Sequence, residues 1–573
     1  MGGKECDCQT AAREISHGKH IDVGVVSRGV LLILIVLSLA KYLPGYLTEK
    51  FPNFSSVAQY VPSLAAILLT IIVIVTARTM FIGTCCLPSF QVSPATLKQI
   101  ISERDVDAET RILADSHEIA KRLSQALQIE TISYDEYDTK NKTDLSQFKR
   151  LHEYIERTYP LFHQKLERTV INGHSLLYKW SGSDSSLKPY LLTAHMDVVP
   201  VPDPEKWSVP PFSGKISDDG YIWGRGAIDD KQNVFGYLEA VTDLLKSGFT
   251  PKRTVYIAFG HDEEIGGEHG ARHIAEHLIK SLGADCMEFM MDEGLFVIDG
   301  AVPGHKKPVA MVCVAEKGAV TLKFSVDVSG GHASAPSRET AIGILARAVA
   351  KVEANPMPAH TEPAFDIFSS LRDGFGGPMR AVMANLWLFG PLVKRILTMK
   401  PLTAVLVRTT SALTIFTAGT KNNVLPSEAS AVVNHRIHPQ DSIERVIAWD
   451  KAVIADDRVK VEVLDSLDPA PVSDKNHPAF GDIATALHRT FKGSCNVAPG
   501  LFVANSDSKH YWTVTPQIFR FSPILLHQSE IGMFHGVNER IRVSDYAKLV
   551  YFYRNLIELC DKRVVLDEKA HRD

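Results

Sequence analysis

The chain has 573 residues, 45% of them hydrophobic and 22% charged, enough for two or three domains with a large buried core. A net charge of −4 and a pI near 6.6 exclude the basic footprint of a nucleic-acid-binding protein. Its eight cysteines include no C-x-x-C pair, which argues against a cysteine zinc site, and they are too sparse for a disulfide framework.

The first predicted elements are apolar. Residues 29–47 form an apolar run broken only by Lys41, and residues 57–77 carry no charge. A membrane-crossing helix needs about 20 apolar residues. The second run meets that outright and the first only if its lysine is tolerated, so residues 1–87 are expected to hold N-terminal transmembrane helices. Arg28 and Arg78 flank the pair and favour both ends on the cytoplasmic face. The sequons Asn53-Phe54-Ser55 and Asn141-Lys142-Thr143 are usable only on the lumenal side.

Beyond a stalk from Pro88 to Asp107, apolar spacing predicts helices over His117–Leu127 and Leu145–Tyr159. Three short apolar runs then end in polar residues: Tyr190–Ala194 before His195, Thr254–Phe259 before His261, and Met287–Met291 before Asp292. A helix over Lys231–Leu245 separates the first two. Strands alternating with helices predict an α/β, doubly wound catalytic domain with a mostly parallel sheet. Working residues in such sheets collect beyond the carboxyl ends of the strands.

From about Glu316 the pattern changes. Strands over Val320–Val328, Ala429–Arg436 and Val459–Leu464 alternate with helices over Ala341–Val352 and Ile443–Val453. This predicts an inserted α+β domain at 316–468, between catalytic segments at 88–315 and 469–573. The stretch from Met379 to Thr410 is apolar and punctuated by Arg380, Lys394, Arg395, Lys400 and Arg408. It reads as a pair of helices covering the insert, with a substrate groove or membrane-contact surface as the sharper alternative.

The residues that carry chemistry are His195 and Asp197, Asp229 and Asp230, Glu263 and Glu264, Asp292 and His535. Carboxylates and imidazoles without thiolates suit a hydrolytic zinc site with positions open for water. Two zinc ions need one shared carboxylate, terminal ligands on each side and a base that does not ligate, and this inventory supplies the set. Singly, each is as well explained by a solvated charge pair or a turn. Their succession after apolar strands is not. An inactive membrane scaffold with a hydrolase fold would lack a ligand or the base. His273, Glu276 and His277 also match an H-x-x-E-H zinc spacing, but the plain reading there is a surface helix.

From about His117 to the C-terminus the chain resembles the zinc aminoacylase–carboxypeptidase family, nearest its branch of carboxypeptidase S and N-fatty-acyl-amino-acid synthase/hydrolases. The stretches that carry the resemblance are Ala194–Pro200, Trp207–Phe212, Gly224–Lys231, Gly260–Glu264, Gly331–Pro336 and Gly536–Arg540. It implies two zinc ions per subunit, one on His195, Asp229 and Asp292, the other on Asp229, Glu264 and His535. Asp229 would bridge, with a cis peptide to Asp230. The resemblance further implies Glu263 as general base, Asp197 as the orienter of His195, and His332 as an oxyanion donor, supplied in dimeric relatives by the other subunit. Arg436 and Asn423 would bind the substrate carboxylate. Relatives usually carry arginine where this chain has Lys509, which cannot give the same bidentate contact.

The implied activity is cleavage, and possible reversal, of an amide between an acyl group and a free amino acid. The anchor and the apolar insert point to a fatty acyl group, and carboxypeptidase action on short peptides is the alternative. The insert would serve as lid and dimerisation domain of a homodimer. The apolar segments predict a membrane protein, and the resemblance implies that its catalytic domain is lumenal or extracellular, the flanking arginines leaving the cytoplasmic face open.

Overall fold

The computed structural model describes residues 23–50, 60–85, 90–135 and 137–570. The Asn53 sequon lies outside the described residues, and Asn141 sits exposed in a loop. Two helices come first, α1 (Val23–Lys50) and α2 (Val61–Cys85), and they pack side by side. Among the described residues only Val61–Thr79 is long and apolar enough to cross a membrane, with mean hydropathy 2.2 and its side chains largely uncovered except Thr79 at its end. The helix α1 contains Lys41 and Pro44, and these polar and helix-bending residues dilute it. The expected pair of spans thus reduces to one candidate.

The strands in chain order begin with β1 (Glu167–Ile171), β2 (Ser175–Trp180), β3 (Tyr190–His195), β4 (Tyr221–Trp223) and β5 (Val255–Gly260). Next come β6 (Met290–Asp299), β7 (Val309–Glu316), β8 (Gly318–Asp327), β9 (Gly331–His332) and β10 (Thr410–Ala418). The last are β11 (Val424–Leu425), β12 (Glu428–Ile437), β13 (Val459–Leu467), β14 (Asn496–Phe502), β15 (Ile518–His527) and β16 (Arg540–Arg542).

Eight strands form one sheet in the order β1-β2-β5-β3-β6-β15-β7-β14. The strand β3 is parallel to β5 and β6, β6 to β15, and β7 to β14. The pairs β1–β2, β2–β5 and β6–β7 are antiparallel. The sheet is therefore mixed rather than mostly parallel. The reason is local: Asn172 and Gly173 take positive φ and turn β1 tightly into β2, and a connection that short allows only an antiparallel pair.

Helices cover both faces of this sheet. On one, α3 (Lys231–Lys246) and the C-terminal helix Val543–Ala570 share the main apolar core, in which Val234, Leu238, Phe552 and Leu556 are fully buried. The Tyr553 hydroxyl donates to Asn233 Oδ1 at 2.6 Å, joining the two helices. On the other face α4 (Ala271–Leu282) sets Ile274 and Leu278 against Leu191 and Met290. Burying each such side chain contributes about 1.5–3 kcal/mol.

The chain leaves this sheet between β7 and β8 and builds a second, antiparallel one in the order β10-β12-β8-β13. The helices α5 (Ala341–Ala354) and, later in the chain, Ile443–Ile454 cover one face of it, packing Ile344, Leu345 and Val446 against Leu322, Phe324 and Val433. Three further helices, α6 (Ala364–Leu371), α7 (Gly377–Ala384) and α8 (Leu386–Leu397), lie within the same stretch of sequence. They do not cover the insert. Ile367, Leu386, Val393 and Leu397 cluster with Val309 of β7 and Ala498 of β14. They close the outer edge of the large sheet, where an uncovered strand would present unpaired backbone groups.

Candidate metal centre and active site

Three adjacent parallel strands deliver the first residues. The register pairs His195, the last residue of β3, with Gly260, the last of β5. A 3-10 turn over Glu263–Ile265 follows β5, and β6 carries Asp292 and Glu293. Asp229 and Asp230 precede α3, and the peptide between them is cis. His535 comes from the loop before β16, in the left-handed region at φ 54°.

These elements converge on Asp229. Its Oδ1 lies 3.0 Å from His195 Nε2 and its Oδ2 2.7 Å from His535 Nε2. His535 Nε2 is 3.2 Å from Glu264 Oε2. Glu293 Oε2 and Glu263 Oε2 stand 3.6 and 4.0 Å from His195 Nε2. Behind His195, Asp197 Oδ1 faces Nδ1 at 3.2 Å. Asp230, by contrast, spends its oxygens on protein donors: the side-chain amides of Gln232 and Asn233 and the backbone N–H of His195.

Asp292 makes no contact with His195 or Asp229 among the described ion pairs, although its buried Oδ2, like Glu264 Oε1, lacks a hydrogen-bond partner. Its Oδ1 accepts the Thr193 hydroxyl at 2.8 Å and the Glu293 N–H at 3.0 Å. Successive side chains on a strand point to opposite faces, so the neighbouring Glu293 is the one that reaches the pocket. The geometry replaces Asp292 with Glu293 beside His195.

The cluster carries surplus negative charge. Burial pushes the Glu263 carboxyl well above the usual range, and Glu293 beside it adds to the push. Burial and Asp229 raise Glu264 to about 7, and burial raises Glu293 to about 8. Hydrogen bonds to Asp229 and Glu264 raise His535 to about 10. Burial also opposes ionisation of Asp229, but the bonds from His195 and His535 outweigh it and hold the carboxyl low. The buried Oε1 of Glu264 has no hydrogen-bond partner. Carboxylates with an unmet need for positive charge, interleaved with imidazoles, fit divalent cations of the zinc type.

A cavity of about 300 Å³ opens over this cluster, lined by Asp229, Glu263, Glu264, Glu293 and His535 from below. Arg436 reaches it from β12 of the insert, with Asn505 and Lys509 at its rim and Phe502 and Phe534 on an apolar wall. The Arg436 guanidinium donates to Asn505 Oδ1. His332 and Asn423 are not there. They lie at the short β9–β11 ladder, where His332 pairs with Val424 and the Ala333 N–H donates to the Asn423 carbonyl at 3.1 Å. His332 is exposed and its Nδ1 lies 2.7 Å from the Ser334 hydroxyl. Within one chain, the expected substrate groups thus separate into Arg436 at the cavity and the His332–Asn423 pair elsewhere.

Sequence reasoning passed over two further features. Arg225 and Glu539 form a fully buried ion pair at 2.7 Å. Glu539 also accepts the Ile228 N–H, and Arg225 donates to the carbonyls of His535 and Gly536. The pair therefore clamps the Asp229 loop to the His535 loop. Both residues lie in stretches that carry the family resemblance, which was the available signal. Asn505, the partner of Arg436, had none. His273 and His277 lie on α4, where Arg272 pairs with Glu268 and Glu276, as a solvated helix face would.

Residues 191–559 match the family described as Peptidase family M20/M25/M40. The chain is 42% identical over 492 residues to Probable carboxypeptidase S-like 2 of Dictyostelium discoideum, covering 85% of this chain and 93% of that protein. It is 45% identical over 449 residues to the N-fatty-acyl-amino acid synthase/hydrolase PM20D1 of Xenopus tropicalis, covering 78% and 86%. Among solved structures, the M20 family metallo-carboxypeptidase Sso-CP2 from Sulfolobus solfataricus shares the fold, with a TM-score of 0.57 at 18% identity over 77% of this chain and 99% of that one.

Proposed function

The chain belongs to peptidase family M20/M25/M40, whose members are metal-dependent hydrolases, and from that premise we propose that it is a two-zinc amidohydrolase acting on the bond between a fatty acyl group and a free amino acid. The observation that carries this reading is Asp229, which offers one carboxylate oxygen to each of two histidines. His195 and Glu293 would complete one ion's ligands, and His535 and Glu264 the other's. When bound, such ions would supply Lewis-acid chemistry, making a water more acidic and the scissile carbonyl more electrophilic.

The chain's own residues then have distinct tasks. Glu263, buried and beside the cluster, takes a proton from the attacking water and returns it to the leaving nitrogen. Asp197 fixes the tautomer of His195. Arg436 and Lys509 supply positive charge for the free carboxylate of the amino acid. His332, exposed on the insert, serves as an oxyanion donor to a second subunit in a homodimer, with Asn423 beside it. Running the same steps backwards joins a fatty acid to an amino acid.

Three features support a fatty acyl group. Phe502 and Phe534 line the cavity. Val503, Ile531 and Val537, their neighbours in sequence, are exposed. The apolar helix α2, read as a membrane anchor, would keep the enzyme among lipids. The competing reading, a carboxypeptidase of short peptides, is supported by the name of the Dictyostelium relative. Purified protein assayed with N-oleoyl-phenylalanine and with a blocked dipeptide separates them. Turnover of the acyl amino acid is expected, and exclusive turnover of the peptide defeats the lipid reading.

A further inference from the structure

The helix α8 breaks the rule for a surface helix. One side of it is buried, with Leu386, Gly390, Val393 and Leu397 facing the core. The other side should then be polar. Instead Trp387, Leu392 and Ile396 are 52, 58 and 53% exposed, and Met399 and Leu402 just beyond the helix are 75 and 84% exposed. Lys394, Arg395 and Lys400 are interleaved with them. A soluble surface rarely tolerates a continuous apolar stripe of this kind without an occupant.

Its position identifies the occupant. The helix α7 packs against α2. Asn385, buried between α7 and α8, donates its side-chain amide to the Thr79 hydroxyl at 3.1 Å and to the Val75 carbonyl at 3.4 Å. Val75 and Thr79 belong to the last turns of the apolar stretch Val61–Thr79. The Trp387 indole N–H donates to Asn385 Oδ1 at 3.2 Å. A half-exposed tryptophan is therefore tethered at the end of the candidate span nearest the catalytic domain. Tryptophan is favoured at that depth, where its ring meets headgroups and acyl chains together. Long basic side chains in the same stripe can keep their stems in the apolar layer and place their charges among phosphates.

We propose that the face made by Trp387, Leu392, Ile396, Met399 and Leu402 lies on the surface of the bilayer that α2 enters, and presses the catalytic domain against an anionic lipid leaflet. This rests on the reading of α2 as an anchor but adds a second, separate contact. The segment that follows this face is also linked by hydrogen bonds to the cavity wall. Beyond the stripe, the carbonyls of Val405 and Arg408 accept from Lys317 Nζ, and the Lys317 N–H donates to the carbonyl of Phe502 on the cavity wall.

The test uses the full zinc-loaded chain reconstituted into phosphatidylcholine–phosphatidylserine vesicles, with and without brominated acyl chains. The protein is expected to float with the vesicles. Brominated lipid should quench a share of its tryptophan emission, and Trp387→Phe should remove that share. The triple variant L392E/I396E/L402E should still float, because α2 is intact. Its KM for N-oleoyl-phenylalanine held in the vesicles should rise at least about tenfold, a small part of what full burial of three apolar side chains is worth. Turnover of a short, soluble N-acyl amino acid should be unchanged, which also verifies folding.

Flotation without any quenching assigned to Trp387 overturns the bilayer contact and leaves the anchor standing. Failure of the wild type to float overturns the anchor and this proposal with it. If the triple variant instead converts a dimer to monomers while Trp387 stays unquenched, the face is a protein contact and the proposal falls. If the triple variant loses soluble turnover, Trp387→Phe quenching decides the matter alone.

Discussion

Asp197 accepts the backbone N–H of Glu263 at 3.1 Å through its Oδ1. Its Oδ2 accepts the Glu264 N–H at 3.1 Å, while Oδ1 also faces His195 Nδ1. One buried acid therefore orients a histidine and positions both glutamates. Asp197→Asn is expected to lower kcat about 10- to 100-fold and weaken metal retention, with KM little changed. Glu263→Gln should keep its metal and lose about 10²- to 10⁴-fold in kcat. Steady-state kinetics beside metal analysis checks both, and a full rate in Glu263→Gln removes it as the base.

Glu293 and Asp292 are adjacent, and only Glu293 turns towards His195. Glu293→Gln should therefore reduce the zinc bound per chain, whereas Asp292→Asn should retain it. Mass-spectrometric metal counting on the purified variants distinguishes them. The reverse pattern would restore Asp292 as a ligand.

Removing the metal should make stability fall as pH rises. Without cations, Glu264 and Glu293 sit at about 7 and 8, above the ordinary glutamate value. Above about pH 6.5, where the buried histidines His152, His261, His438 and His488, held near 3–4 by burial, no longer oppose them, these glutamates make the folded state bind more protons than the unfolded one, so unfolding free energy declines towards pH 8. His535, raised to about 10, acts in the same direction, since its contribution is full below the unfolded histidine value and is lost as pH climbs through 10. Thermal melts of chelator-treated protein should show Tm dropping from about pH 6.5 to pH 8, and added zinc should flatten the trend. A rising Tm in the metal-free protein contradicts the charge assignment.

Arg225 and Glu539 are both fully buried and tie two loops together. Removing one partner strands the other's charge, so Arg225→Met or Glu539→Gln is expected to destabilise the fold by about 3–5 kcal/mol. Denaturant titration measures this. The variants should also retain metal poorly, because Asp229 and His535 are carried on the clamped loops.

His195, Glu263 and Glu264 were legible because they end or follow apolar strands, and Asp229 and His535 because they stand in or beside stretches that carry the family resemblance. His195, Asp229, Glu263, Glu264 and His535 do come together. The choice between Asp292 and Glu293 was not legible. A one-residue change of register flips a side chain to the other face, and the pairing of β6 with β15 sets that register across the whole fold. The antiparallel strands β1, β2 and β7 escaped for a related reason, since their direction depends on short turns rather than on their own composition. The destination of α8 was equally hidden. Its apolar residues announced a need for cover, but only the exposed edge of β14 determined which domain would receive them.

The contact between Arg436 and Asn505 crosses from one domain to the other. Asn505 also donates to the Lys317 carbonyl at the point where the chain passes between the sheets. An arriving carboxylate therefore meets a guanidinium already fixed to the catalytic domain through one N–H, with its other N–H groups left to bind. Recognition of the carboxylate then depends on the insert holding its seat over the cavity.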